Sequence, residues 1–265
     1  MVERLSRSII VTGAASGIGR ATALLFARRG WFVGGFDTNV DGLSTLASEL
    51  GPQCMTGILD VTSRTDFGRV ADLFSSASGG HLDVLFNNAG TGRGGGPFDK
   101  VSFDDVAAAV QVNLLGVLSG IHACLPLLRR TPNSLCISTS SSTAIFGLPN
   151  MAAYSATKCA VRGLTEALSL EFRAHGVRVA DVLPGLVATP LIGKNTSAST
   201  HGGPFRVIQA DQVAEVVWQA YKSDQLHWYA PPDLGHLAIE AATDPEGFRE
   251  KIHTRTGAYS WMAGG

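Results

Sequence analysis

The sequence predicts a doubly wound α/β domain, a parallel sheet covered by helices on both faces. Three observations carry that prediction. Short apolar runs alternate with segments of helical periodicity along the chain. The runs are apolar at nearly every position rather than every second one, as strands buried on both faces require. The 265 residues are 45% hydrophobic and 16% charged, ample for one large core. No repeat or long linker divides the chain, so residues 1–265 read as a single unit.

In chain order, strands are expected at Ser8–Thr12, Phe32–Phe36, Cys54–Leu59, Val84–Phe86, Ser134–Ser138, Val177–Leu183 and His227–Ala230. Helices are expected near 17–29, 41–50, 64–77, 103–130, 152–174 and 211–222. Two loops stand out, the glycine-rich 91–97 and the small, polar 193–204. Each follows a strand and is expected to rim the crevice beyond the carboxyl ends of the sheet, where ligands of open α/β sheets bind.

Composition excludes several classes. The formal net charge is -1 with no basic block, which argues against nucleic acid. Cys54, Cys124, Cys136 and Cys159 lack CxxC spacing, and the seven histidines lack ligand spacing, so no metal site is expected. Free thiols point to a reducing, cytoplasmic compartment. The apolar stretch Ile9–Val11 is too short for a signal peptide. Residues 107–128 contain Gln111, Asn113, Ser119, His122 and Pro126, and so read as a buried helix rather than a membrane span.

The first strand runs into Gly13, and Gly17-Ile18-Gly19 opens an Ala- and Leu-rich helix, with Ser16 just before it. Glycines at such a turn let a pyrophosphate approach backbone N–H groups at the helix N-terminus. Asp37 ends the second strand, eighteen residues after Gly19. A carboxylate there can accept hydrogen bonds from a ribose hydroxyl and repel a 2′-phosphate. Thr38, Asn39 and Val40 offer no cation for such a phosphate, so NAD is expected over NADP.

Tyr154 and Lys158 stand four residues apart, one helical turn. An isolated phenol, pKa ~10, is a poor base at neutral pH, but a nearby ammonium favours the phenolate. Tyr154 is thus the expected general acid/base for a hydride transfer at a carbon bearing oxygen. A serine after the fifth strand can hold the substrate oxygen. Periodicity does not choose among Ser138, Ser140, Ser141 and Ser142. Asn113 interrupts an apolar helical run, where it either holds a water leading from Lys158 to solvent or caps an internal break.

Taken together, the chain resembles the short-chain dehydrogenases/reductases of the roughly 250-residue type over about residues 8–190. The motifs are Thr12-Gly13-x-x-x-Gly17-x-Gly19, Asp60-Val61, Asn87-Asn88-Ala89-Gly90, Val112-Asn113-Leu114, Ser141, Tyr154-x-x-x-Lys158, and Pro184-Gly185 with Thr189. Counting back from Gly147 and Pro149, the resemblance selects Ser141. It implies a tetrad of Asn113, Ser141, Tyr154 and Lys158, with Lys158 also binding the nicotinamide ribose. It further implies that Asp60 and Val61 flank the adenine and that Asn87, Ala89 and Gly90 back the adenosine. Pro184, Gly185, Val187 and Thr189 would cover the nicotinamide. A Rossmann-like seven-stranded parallel sheet in the order 3-2-1-4-5-6-7 is implied too. So is a homodimer or homotetramer through the helices near 103–130 and 152–174.

Ile145, Phe146, Leu148 and Met151, with Leu191, Ile192, Phe205 and Val207 from the later loop (191–210), are the candidate substrate wall. Their apolarity predicts a hydrophobic secondary alcohol or ketone. The competing reading assigns half of them to the core. Alternative functions are an NADP-dependent carbonyl reductase and a catalytically silent dinucleotide sensor. The segment 231–265, with a helix expected around Pro245–His253 and an exposed Trp261, departs from the family pattern and carries no transferable role.

Overall fold

The computed structural model describes residues 7–52, 54–192 and 203–256. They form one sheet of seven parallel strands: β1 (Ser8–Thr12), β2 (Phe32–Asp37), β3 (Cys54–Ile58), β4 (Val84–Asn87), β5 (Leu135–Thr139), β6 (Arg178–Pro184) and β7 (His227–Ala230). The order is β3-β2-β1-β4-β5-β6-β7. The chain winds outward from β1 in one direction, then crosses to β4 and winds in the other. The crevice at that reversal is where such sheets bind ligands.

Strand pleating divides the core in two. Ile9 and Val11 of β1 face one side with Val33, Phe86 and Ile137. There they meet Ala23 and Phe26 of α1 (Gly17–Arg28), Leu46 of α2 (Val40–Leu50) and Val213 and Val217 of α7 (Ala210–Tyr221). Ile10 faces the other side with Phe36, Leu85 and Cys136. Here the cover is α3 (Arg64–Ser78), α5 (Gly116–Arg130) and α6 (Ala152–Glu171), through residues such as Phe67, Phe74, Ile121 and Val161. These continuous apolar strands need both layers of helices.

The structure departs from the periodic reading in two places. The helix expected over 103–130 is α4 (Phe103–Val110), a π-helical turn (Gln111–Leu115) and then α5. The inserted turn holds Asn113, which is fully buried. The whole span Phe103–Arg130 is long and apolar enough to cross a membrane by composition alone. It packs instead as a core helix, with Val117, Ile121, Cys124, Leu127 and Leu128 buried. The second departure is α8 (Leu234–Thr243), which periodicity did not reveal, ahead of α9 (Pro245–Thr256). Most of the loop 193–204, and Trp261, lie outside the described residues.

Candidate active site

A crevice of about 1370 Å³ opens at the carboxyl ends of the strands. At its end beside β1, Gly13 adopts φ +67°, a conformation L side chains rarely take. A Cβ there would also fall 2.9 Å from Ala89 Cα. At Gly19 a Cβ would fall 2.1 Å from the Gly13 carbonyl oxygen, so only glycine lets α1 start this close to the turn. Ser16 caps α1 without a side-chain hydrogen bond, and the first turn contains no acidic residue. The helix thus presents uncapped N–H groups and a positive dipole end to the crevice.

The carboxylate of Asp37 is fixed by backbone donors. Oδ2 accepts from Ala15 N–H at 3.0 Å and Oδ1 from Asn39 N–H at 3.0 Å. Asp60 Oδ1 likewise accepts from Thr62 N–H (2.9 Å) and Thr62 Oγ1 (2.7 Å). A lock that the sequence reading did not assign joins Thr12 to Asn88. Thr12 Oγ1 accepts from the N–H groups of Asn88 and Ala89, each at 3.0 Å, and Asn88 Nδ2 donates to Thr12 O at 3.0 Å. Both residues stood inside the recognised motifs, but their pairing crosses 76 positions.

Gly13, Ser16, Gly17, Ile18, Asp37, Asp60, Val61, Ala89, Gly90, Pro184, Gly185, Val187 and Thr189 all line the crevice. Gly19 and Asn87 do not. Gly19 supports the turn from behind. Asn87 is buried beneath, its Oδ1 without a hydrogen-bond partner and close against Gly120. The glycine turn, the uncapped helix end and the backbone-held carboxylates fit a dinucleotide.

At the other end, β5 delivers Thr139, Ser140 and Ser141. Lys158 Nζ donates to Thr139 O at 2.8 Å, and Ser140 Oγ donates to Lys158 O at 2.9 Å. These bonds dock the first turns of α6 onto the strand end. Ser141 Oγ accepts from Thr143 N–H at 3.1 Å, and its hydroxyl also bonds the Tyr154 phenol. Lys158 Nζ lies 5.5 Å from the centroid of the Tyr154 ring.

Asn113 acts as a clamp. Its Oδ1 accepts from Thr91 N–H at 2.8 Å, and its Nδ2 donates to Thr91 O at 3.0 Å and Thr157 Oγ1 at 3.3 Å. It does not line the crevice, whereas Ser141, Tyr154 and Lys158 do.

Electrostatics correct one expectation. The Tyr154 phenol is not drawn down by its lysine. Burial pushes it up to about 12, with the hydrogen-bonding Ser141 hydroxyl opposing that rise. Burial likewise pulls the Lys158 ammonium down to about 8. Burial disfavours the charged form of each group, so it moves the phenol up and the ammonium down.

The substrate wall divides. Leu148, Met151, Leu191 and Ile192 line the crevice. Ile145, Phe146 and Phe205 do not. They turn outward into a small apolar cluster with Leu234, Leu237, Phe248 and Ile252. Val207 is also absent from the lining. The glycine loop 91–97 supplies the opposite rim, and Gly96 N–H donates to Asn150 O at 2.7 Å.

Comparison with known proteins defines the class. The family model described as "short chain dehydrogenase" matches residues 7–200. The chain is 40% identical over 201 residues to the sex determination protein tasselseed-2 of Zea mays, covering 72% of this chain and 59% of that protein. It is 32% identical over 213 residues to the cyclohexanol dehydrogenase of Acinetobacter sp. (strain SE19), covering 78% and 84% respectively. A short chain dehydrogenase/reductase from Burkholderia phymatum, solved in complex with NAD, superposes with a TM-score of 0.80 at 26% identity, over 93% of this chain and 96% of that one.

The chain belongs to the short-chain dehydrogenases. It is therefore an oxidoreductase of the kind that uses a nicotinamide dinucleotide.

Proposed function

We propose that this protein is an NAD-dependent alcohol dehydrogenase or ketoreductase acting on a hydrophobic secondary alcohol or ketone. The observation that carries the reading is the convergence of Ser141, Tyr154 and Lys158 at one end of a crevice whose other end holds Asp37. The nicotinamide, when bound, supplies or accepts the hydride and in its oxidised form adds a positive charge. Tyr154 supplies the proton. With burial holding the phenol up near 12, it keeps its proton at neutral pH, poised to protonate the oxygen of a carbonyl as that carbon is reduced. In the oxidising direction it must first lose that proton. Ser141 turns its O–H from the phenol to the substrate oxygen and steadies the developing charge. Lys158 stands within ion–dipole reach of the phenol and orients the ribose.

Asn113 is a positioning residue, since its two-point bond to Thr91 fixes the backbone beside Gly90. Asp37 selects NAD: its oxygens keep lone pairs for ribose hydroxyls and would repel a 2′-phosphate. Gly13, Gly17 and Ile18 cradle the pyrophosphate. Asp60 and Val61 flank the adenine, with Ala89 and Gly90 behind the adenosine. Pro184, Gly185, Val187 and Thr189 cover the nicotinamide. The apolar Leu148, Met151, Leu191 and Ile192 face the substrate. A relative named cyclohexanol dehydrogenase and a similar structure bearing NAD support the same choice.

Exposed Phe103, Leu115, Leu118 and Leu170 on α4–α6 support a homodimer or homotetramer formed through these helices. All four cysteines are free thiols, in keeping with a cytoplasmic, reducing setting.

The test is a panel of secondary alcohols incubated with purified protein and NAD, followed at the NADH absorbance band. The expected result is turnover that rises with the apolar bulk of the alcohol. Preference for polyols would reject the apolar pocket, and a higher kcat/KM with NADP would reject the role of Asp37.

A further inference from the structure

We propose that the C-terminal helices α8 and α9 set the position of the substrate wall formed by Leu148 and Met151, with Phe248 as the principal positioning residue. The idea rests on the proposed activity for the identity of the substrate, but not for the contacts that suggest it. Phe248 and Ile252 of α9, with Leu234 and Leu237 of α8, are all buried. They close an apolar cluster distinct from the two cores of the sheet.

The cluster reaches that wall through the turn that joins Ser141 to Tyr154. The Phe146 ring in that turn lies 5.0 Å from the Phe248 ring and 6.3 Å from that of Phe205. Leu148, two residues on, packs on the cluster and also lines the crevice. Its carbonyl accepts from Met151 N–H at 3.2 Å, and Met151 lines the crevice too. The position of the Phe248 ring is thereby passed to two side chains of the substrate wall.

The segment proposed to cover the nicotinamide is reached by another route. Arg206 Nη1 donates to Asp233, the N-cap of α8, and to Gly203 O. That pair is solvent-exposed, so it orients more than it stabilises. Ile208 N–H then donates to Leu186 O at 2.9 Å, and Ala188 N–H donates to Ile208 O at 2.9 Å. These bonds bracket Val187, which lines the crevice. Leu234 Cδ1 closes against Gly185, where a Cβ would stand only 3.3 Å away.

The substrate wall therefore leans on α9 through Phe248 and the Gly185–Val187 segment on α8 through Leu234 and Asp233, whereas the nucleotide turn is tied by its own Asp37–Ala15 and Thr12–Asn88 bonds. A gap left at Phe248 would loosen the substrate wall and spare the nucleotide turn, because packed side chains transmit the loss of a neighbour locally.

The experiment compares the full-length wild type with Phe248→Ala, Phe248→Leu and Ile252→Ala. For the best alcohol of the panel, Phe248→Ala is expected to raise KM about tenfold while kcat changes less than about threefold and NADH affinity less than about twofold. Phe248→Leu should recover most of the KM, and Ile252→Ala should reproduce the effect more weakly. Hydrogen exchange is read in parallel. Amides of 142–151 and 203–208 should exchange about tenfold faster in Phe248→Ala, with 8–19 and 84–90 unchanged. This arm needs no turnover, so a wild type inactive on every alcohol would reject the enzymatic reading and leave the exchange pattern to judge the positioning role. Faster exchange confined to α9 with unchanged KM would overturn the proposal. So would uniform acceleration that includes 8–19.

Discussion

The two ends of the crevice are built by different physics. At the nucleotide end the backbone does the shaping: Gly13 at positive φ, Gly19 pressed on a carbonyl, and Asp37 and Thr12 each held by pairs of N–H donors. At the proposed substrate end the lining includes apolar side chains, and Leu148 among them is supported by packing against helices at the far end of the chain. Directional bonds fix the first region to one ligand shape. Non-directional packing leaves the second free to change size by substitution without disturbing the first. A family can thus keep its cofactor while its substrates diverge.

Four substitutions would break or sharpen that contrast. Tyr154→Phe removes the proton donor and nothing from the nucleotide cradle. Turnover should fall by about 10³-fold while NADH affinity, measured by fluorescence titration, holds. Retained turnover would refute the assignment. Gly19→Ala should act in the opposite sense. The added Cβ collides with backbone that cannot yield, so about 1–3 kcal/mol of stability and most nucleotide affinity should be lost together. If denaturant melts match the wild type, the close approach is not a constraint.

Lys158→Met tests the charge that both ends share. The folded-state pKa of about 8 lies below the ordinary 10.5, so the folded protein binds fewer protons than the unfolded chain between those values. The cost of burying the ammonium is in full force below pH 8 and is relieved as pH rises toward 10.5. The methionine variant should therefore be more stable at pH 7 by about 1–3 kcal/mol, with the advantage fading at higher pH, and nearly inactive. Chemical unfolding at pH 7 and pH 10 measures both halves of the statement. Asp37→Ala is the mildest of the four. The ratio of kcat/KM for NAD to that for NADP should fall about tenfold or more with little change in alcohol preference. A parallel change in alcohol preference would contradict the separation of the two ends.

Much of this was legible in the sequence because the signals were local. Fully apolar runs announced the strands, and a one-turn spacing announced Tyr154 and Lys158. Asp37 stood out by its distance from the glycine turn. Where the outcome depended on distant partners, the sequence was mute. Ile145, Phe146 and Phe205 are as apolar as Leu148 and Leu191. Their direction is set by α8, a short helix directly behind Pro231 and Pro232 that carries no clear periodic signature of its own. The Thr12–Asn88 lock joins residues that only the β1–β4 pairing brings together. The phenol was misjudged for a related reason. Spacing reveals the neighbouring cation but not the enclosure, and here enclosure prevails.

The π-helical turn at Gln111–Leu115 has a consequence for how this chain can vary. One surplus residue sits in an otherwise regular rod. Excising one position there would close the surplus turn into regular α-helix and leave everything downstream in register. The stripe of Val117, Ile121, Cys124 and Leu128 would keep facing the sheet, while the amide that grips Thr91 would be drawn into the regular spiral. A single deletion in this stretch should thus spare the fold and cost the Asn113–Thr91 clamp, whereas a deletion early in α5 would turn the stripe about 100° off the sheet.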